Sequence, residues 1–151
     1  MQLGAVAAFA LVPYPLTAAP TTYDVKFWEA STVPHAIKAL YGDKKPIKSD
    51  AVKIIAYDFA ANNRKIPMNI VSDLSAKSVS LFQDANPQSA IALWTLNEHS
   101  IIDFQARVKV QSKGVPVTFT VIVEANDGNL YYATHSIDVA KGGCIDSYSK
   151  L

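Results

Sequence analysis

Residues 102–110 read IDFQARVKV, and their alternation is strict. Ile102, Phe104, Ala106, Val108 and Val110 fall on one side, while Asp103, Gln105, Arg107 and Lys109 fall on the other. A strand repeats its side-chain direction every second residue, so this segment has one dry and one wet face. That is the signature of an antiparallel sheet covered on one side only. The stretch VPVTFTVIVE, residues 115–124, repeats the pattern and assigns Val115, Val117, Phe119, Val121 and Val123 to the core. NDGN at 126–129 then makes a tight turn in which Gly128 takes positive φ, and LYYATHSIDV (130–139) returns as the partner strand of a hairpin.

Four more short strands precede this hairpin region: VKIIAYDF (52–59), IPMNIV (66–71), SVSLFQ (78–83) and IALWTL (91–96). The turn-prone ANNRK (61–65) and DANPQS (84–89) separate two pairs of them. About seven strands with little helix predict an immunoglobulin-like antiparallel β-sandwich, with a closed barrel as the competing architecture. Without a Cys…Trp…Cys signature, an antibody-type domain is disfavoured. The aromatics Phe27, Trp28, Tyr57, Phe59, Phe82, Trp94, Phe104, Phe119, Tyr131 and Tyr132 read mostly as core at strand spacing. Upstream, one helix is expected near 34–41: Thr32 as N-cap, Pro34 in the first turn, Ile37, Leu40 and Tyr41 at helical spacing, and Gly42 as terminator. The expected organisation is an N-terminal segment (20–50), a β-sandwich (51–140) and a flexible arm (141–151).

Composition narrows the function. With 151 residues, 50% hydrophobic and 18% charged, the chain suits one globular domain with a real core. A formal net charge of +1 gives no electrostatic case for nucleic acid or an anionic membrane surface. The apolar, uncharged MQLGAVAAFALVPYPLTAA (1–19) reads as a secretory signal peptide, and its missing basic n-region is what a start further upstream would produce. Export to the periplasm is therefore expected. Pro13 and Pro15 make the run too short and broken for a membrane-spanning helix. His35, His99 and His135 stand far apart and form no metal-ligand motif. No GxSxG, HExxH or phosphate-binding glycine loop is present, so hydrolase or kinase chemistry has no support.

One cysteine, Cys144, stands in AKGGCIDSYSKL, behind Gly142 and Gly143. A single thiol excludes an internal disulfide framework and the Cys-rich zinc motifs. Two glycines give it backbone freedom that prevents a fixed alignment against a base or oxyanion hole of its own domain. Lys141 favours the thiolate only weakly from an exposed position. Such a thiol suits an arm that reaches into other proteins' sites carrying a group bound to sulfur; the alternative is a tail whose cysteine does nothing.

Several pieces, in order, resemble the SoxY family. AIKALYG (36–42) is similar to that family's N-terminal helix, and FAANNRKIPMNI (59–70) to its AENG…VPV segment, with Asn63 where glycine is usual. SVSLFQDANPQS carries the Asn-Pro turn as Asn86 and Pro87, and FQARVKV keeps Arg107 of an arginine pair, with Lys109 as the second member. EANDGNLYYATHSIDVAKGGC (124–144) resembles the closing hairpin, last strand and GGC arm. The resemblance implies an immunoglobulin-like sandwich paired with a SoxZ-like subunit, and a cysteine carrying thiosulfate-derived sulfur. It implies that a haem protein loads the thiol, a hydrolase releases sulfate and a molybdenum–haem enzyme oxidises the remaining sulfane. The carrier would be no enzyme and would hold no cofactor. Family arms usually end GGCGG, whereas IDSYSKL follows here. Two other functions fit the residues: an interaction module using Cys144 for an intermolecular disulfide, and a SoxY-like carrier of another pathway, such as one served by a quinoprotein dehydrogenase.

Overall fold

The computed structural model describes residues 25–112 and 114–140. The leader at 1–19 and the arm at 141–151, with Gly142, Gly143 and Cys144, lie outside the described residues. Two helices, α1 (Val25–Glu29) and α2 (Val33–Tyr41), precede the strands. The strands are β1 (Ile47–Lys48), β2 (Val52–Ala56), β3 (Phe59–Ala60), β4 (Ile66–Ser72), β5 (Ala76–Gln83), β6 (Ala90–Thr95), β7 (Ile102–Val108), β8 (Val117–Ala125) and β9 (Leu130–Val139). The larger sheet runs β1-β9-β8-β5-β6 with β3 also pairing β9, and the smaller runs β2-β4-β7. Their facing sides bury Ile66, Met68, Ile70, Val79, Leu81, Phe119 and Val121 in one core. The expected sandwich is present. All long pairings are antiparallel, but β1 and β3 add to β9 in parallel.

The alternation of β7 survives as drawn: Ile102 and Val108 are buried, and Asp103, Gln105 and Arg107 are exposed. Strand pairing stops at Val108, although Val110 beyond it is still buried. In β8, Val117, Phe119, Val121 and Val123 are buried as expected. Val115 is not: it lies before the strand and is 62% exposed. Ile122, on the opposite parity, is fully buried, because the larger sheet carries a second dry face. Helices α1 and α2 cover that face, packing Phe27, Ala36 and Tyr41 on Phe82, Ile122 and Leu130. The molecule is thus three layers deep.

Helix α2 begins where the sequence indicates. Thr32 is extended at the N-cap and its hydroxyl accepts from the His35 N–H, while Pro lies in the first turn. Gly42 closes it at φ 66°, its N–H donating to the Lys38 carbonyl. Helix α1 is only five residues long. Five residues cannot hold a helix by propensity, so tertiary contact must do it. Phe27 supplies that contact, edge-to-face on Phe82 at 6.0 Å between centroids. At the far side of α2, the Tyr41 hydroxyl meets Ser80 Oγ at 2.9 Å in a buried pair. Burial pushes the Tyr41 phenol above its ordinary value of 10.0.

The closing hairpin has the expected Gly128 at φ 89°. Asp127 accepts from the Asn129 N–H and from the Tyr131 hydroxyl, each at 2.8 Å. These bonds, the Asn129 backbone first, hold its carboxyl below the ordinary range.

Candidate functional site

The segment before Cys144 is fixed at its root. β9 ends at Val139, and the last described residue is Ala140, four positions before the thiol. β3 runs parallel beside this end, pairing Phe59 with Asp138 and Ala60 with Val139. The Asp138 N–H donates to the Asp58 carbonyl at 2.8 Å, and the Ala140 N–H to the Ala60 carbonyl at 3.0 Å. With Ile137 and Val139 buried, backbone bonds and apolar packing both anchor the end of β9, up to the last described residue before Cys144.

Asn63 and Asn86 act as fasteners in the loops after β3 and β5. The Asn63 carbonyl accepts from the Val110 N–H at 2.8 Å, and its side-chain amide donates to the Ser112 carbonyl at 3.2 Å. Asn86 receives the Gln111 N–H at 2.8 Å and donates to the Lys109 carbonyl at 3.1 Å. These bonds satisfy the backbone of a segment that has left its sheet ladder, which is why polar residues with both donors and acceptors stand there. Gln83, fully buried, shapes the same turn by accepting from the Ala85 and Asn86 N–H groups.

The histidines stay apart. His35 lies on α2, His99 on an exposed turn beside Glu98, and His135 on β9. His135 Nε2 is 3.3 Å from Asp58 Oδ1 but makes no hydrogen bond. Among the described residues no group of three or more His, Cys, Asp or Glu could hold a metal ion. No helix among them is long and apolar enough to cross a membrane.

Sequence reasoning missed the outer face of the smaller sheet. A groove of 610 Å³ crosses it, lined among others by Ile55, Tyr57, Pro67, Asn69, Gln105 and Arg107. Tyr57 and Phe59, expected in the core, are 76% and 60% exposed. The reason is visible in VKIIAYDF, where both parities are apolar: Val52, Ile54 and Ala56 turn inward, Ile55, Tyr57 and Phe59 outward. Period two cannot choose between two apolar faces.

The comparisons with known proteins now decide the family. The model of sulfur oxidation protein SoxY matches residues 37–144, more than two thirds of the chain. The chain belongs to the SoxY family. The match ends on Cys144 and leaves Ile145–Leu151 beyond it. The sulfur carrier protein SoxY from Chlorobium limicola f thiosulfatophilum is similar in structure, with a TM-score of 0.64 and 26% identity over 74% of this chain and 95% of that one. Superoxide reductase (neelaredoxin) from Ignicoccus hospitalis superposes with a TM-score of 0.51 at 13% identity, covering 59% of this chain and 80% of that one. At that identity the likeness is one of fold alone. No curated protein matches the chain.

Proposed function

We propose that this SoxY-family chain is the sulfur carrier of periplasmic thiosulfate oxidation, with Cys144 as the covalent attachment point and Gly142 and Gly143 as the hinge. One observation carries the reading most: the anchored end of β9 leads through only Lys141 and two glycines to the residue on which the family match ends. A rigid root and a short permissive hinge are what a carrier thiol needs to enter a partner's site. Among the described residues the histidines stand on separate elements and form no shared acid–base cluster, which favours a thiol acted on by partners.

On this reading residues 1–19 form an export leader and residues 141–151 the arm. The thiolate and thiosulfate join through a new S–S bond, and two electrons pass to a haem protein that performs the loading. A hydrolase then adds water across the terminal sulfur–sulfur bond, releasing sulfate and two protons and leaving a persulfide anion on Cys144. A molybdenum–haem enzyme oxidises that remaining sulfane. A SoxZ-like chain is the stable partner, and the carrier contributes no cofactor. Replacement Cys144→Ser should abolish thiosulfate-dependent turnover in a reconstituted system while leaving the far-ultraviolet circular dichroism unchanged. Undiminished turnover would sink the proposal. A stoichiometric disulfide-linked species on a non-reducing gel, without a labile adduct, would point to the interaction module instead.

A further inference from the structure

The outer face of the β2–β4–β7 sheet carries its charges in a telling order. The register sets its cross-strand rows: Lys53, Val71 and Asp103 in the first, and Ile55, Asn69 and Gln105 in the second. Pro67 and Arg107 make the third, with Tyr57 one step past the Ala56–Met68 pair. Every β2 and β7 residue of this parity is exposed, as is Pro67 between them. Exposed Asp73 and Lys65 flank the two ends of β4. The acidic groups of β4 and β7, Asp73 and Asp103, therefore lie toward one end, and the basic Lys65 and Arg107 toward the other. None of the four is in an ion pair with another described residue.

A face with opposite charges at its two ends is self-complementary. Let a second copy lie on it face to face, related by a two-fold axis that runs across the strands along the middle row. Each strand then lies over its own counterpart, antiparallel, and the two end rows exchange places. Asp103 meets Arg107 of the second copy, and Lys53 meets the Tyr57 ring, a cation over an aromatic face. Val71 meets Pro67, and beyond them Asp73 meets Lys65. On the axis Ile55 meets Ile55, and Gln105 meets Gln105, whose amide both donates and accepts and so can pair with itself. A two-fold axis makes each off-axis contact twice. No pairing in these rows sets like charges together.

The apolar content of the face points the same way. Ile55 and Tyr57 are large, exposed and adjacent, and contiguous exposed apolar groups mark interaction surfaces. Tyr and Arg are also the residues that dominate interface energetics. With its flanking rows the face covers about 30 Å by 15 Å, roughly 450 Å² per copy. Two copies together bury about 900 Å², less than the roughly 1,200–2,000 Å² of a stable specific interface, which makes this contact a weak and reversible one.

We propose that the outer face of the β2–β4–β7 sheet is a two-fold self-association surface, on which two copies of the chain meet antiparallel through Asp103–Arg107 contacts around Ile55 and Tyr57. The larger sheet with its helices stays free for a different subunit. The inference uses neither Cys144 nor sulfur chemistry and stands apart from the carrier reading.

The test is sedimentation velocity of the full chain over a series from micromolar to millimolar protein, in reductant so that Cys144 forms no disulfide. The wild type should dimerise weakly with rising concentration. Asp103→Arg and Arg107→Asp should each lower the association constant by about tenfold or more, since each sets like charges together twice. Mixing these two variants should restore association, because every facing charge is then opposite in sign. The double variant should dimerise with itself and not with the wild type. A wild type that stays monomeric throughout, single variants that associate as well as the wild type, or a mixture no tighter than its components overturns the proposal. Independently of any substitution, dilution of the wild type should shift NMR signals of Lys53, Ile55 and Arg107 and leave those of α2 in place. Shifts confined to α2 would put self-association on the helical layer and overturn it. A monomer whose Ile55 and Arg107 are instead protected by a different subunit would assign the face to that subunit, and likewise overturns it.

Discussion

The two sheets of the sandwich share one core, yet their outer faces are finished differently. The larger sheet turns Phe82, Ile122 and Leu130 outward and covers them with α1 and α2. The smaller sheet turns Ile55, Pro67 and Arg107 outward and leaves them exposed among the described residues. A covered face fixes structure, since its side chains fill fitted space, whereas an uncovered face with mixed apolar and charged groups is free to meet another surface. β9 ends where β3 joins it, beside a smaller cavity that shares Tyr57 and Pro67 with the groove.

Substitutions can break this contrast, and their effects should fall in order from core to open face. Phe119→Ala, fully buried between the sheets, should cost about 3–5 kcal/mol in denaturant unfolding. An effect below about 1 kcal/mol would mean that the sheets do not share a packed core. Tyr41→Phe should cost about 1–3 kcal/mol, because it strands the Ser80 hydroxyl in a buried site under the helical layer. The same tyrosine predicts a pH effect. Its folded value is raised by burial, so its contribution is complete below the unfolded value near 10 and is lost as pH rises through the folded one. Unfolding followed from about pH 9 to 12 should therefore show an alkaline loss that is smaller in Tyr41→Phe, and identical curves would contradict it. Ile55→Ser, on the open face at 57% exposed, should change stability by no more than about 0.5 kcal/mol. A loss as large as that of Phe119→Ala would show that the open face is structural after all.

Much of this is legible in the residues, and the failures share one cause. IDFQARVKV has one polar and one apolar parity, so its register can be read directly. NDGN and the Thr32–Gly42 frame of α2 carry their own backbone chemistry and are equally plain. Where both parities are apolar, local pattern has nothing to discriminate. Period two therefore puts Tyr57 and Phe59 inside when they lie outside, and gives no sign of the second dry face marked by Ile122. Val115 continues the parity of β8, but the chain has not yet entered the sheet there. Helix α1 exists through the packing of Phe27, a tertiary cause that no propensity encodes. At the site, the lone thiol and its glycines need only the sequence. The anchoring of Ala140 on Ala60 does not show, because a two-residue parallel strand leaves no periodic trace.

The central claim is that Cys144 bears the cargo. Its most direct test is intact-mass and peptide-mass analysis of protein isolated without reductant after exposure to thiosulfate and a loading haem protein. The carrier account predicts a thiosulfate-derived adduct on the peptide containing Cys144, one per chain, removed by reductant. An unmodified Cys144 under those conditions, or an adduct on another residue, would contradict it.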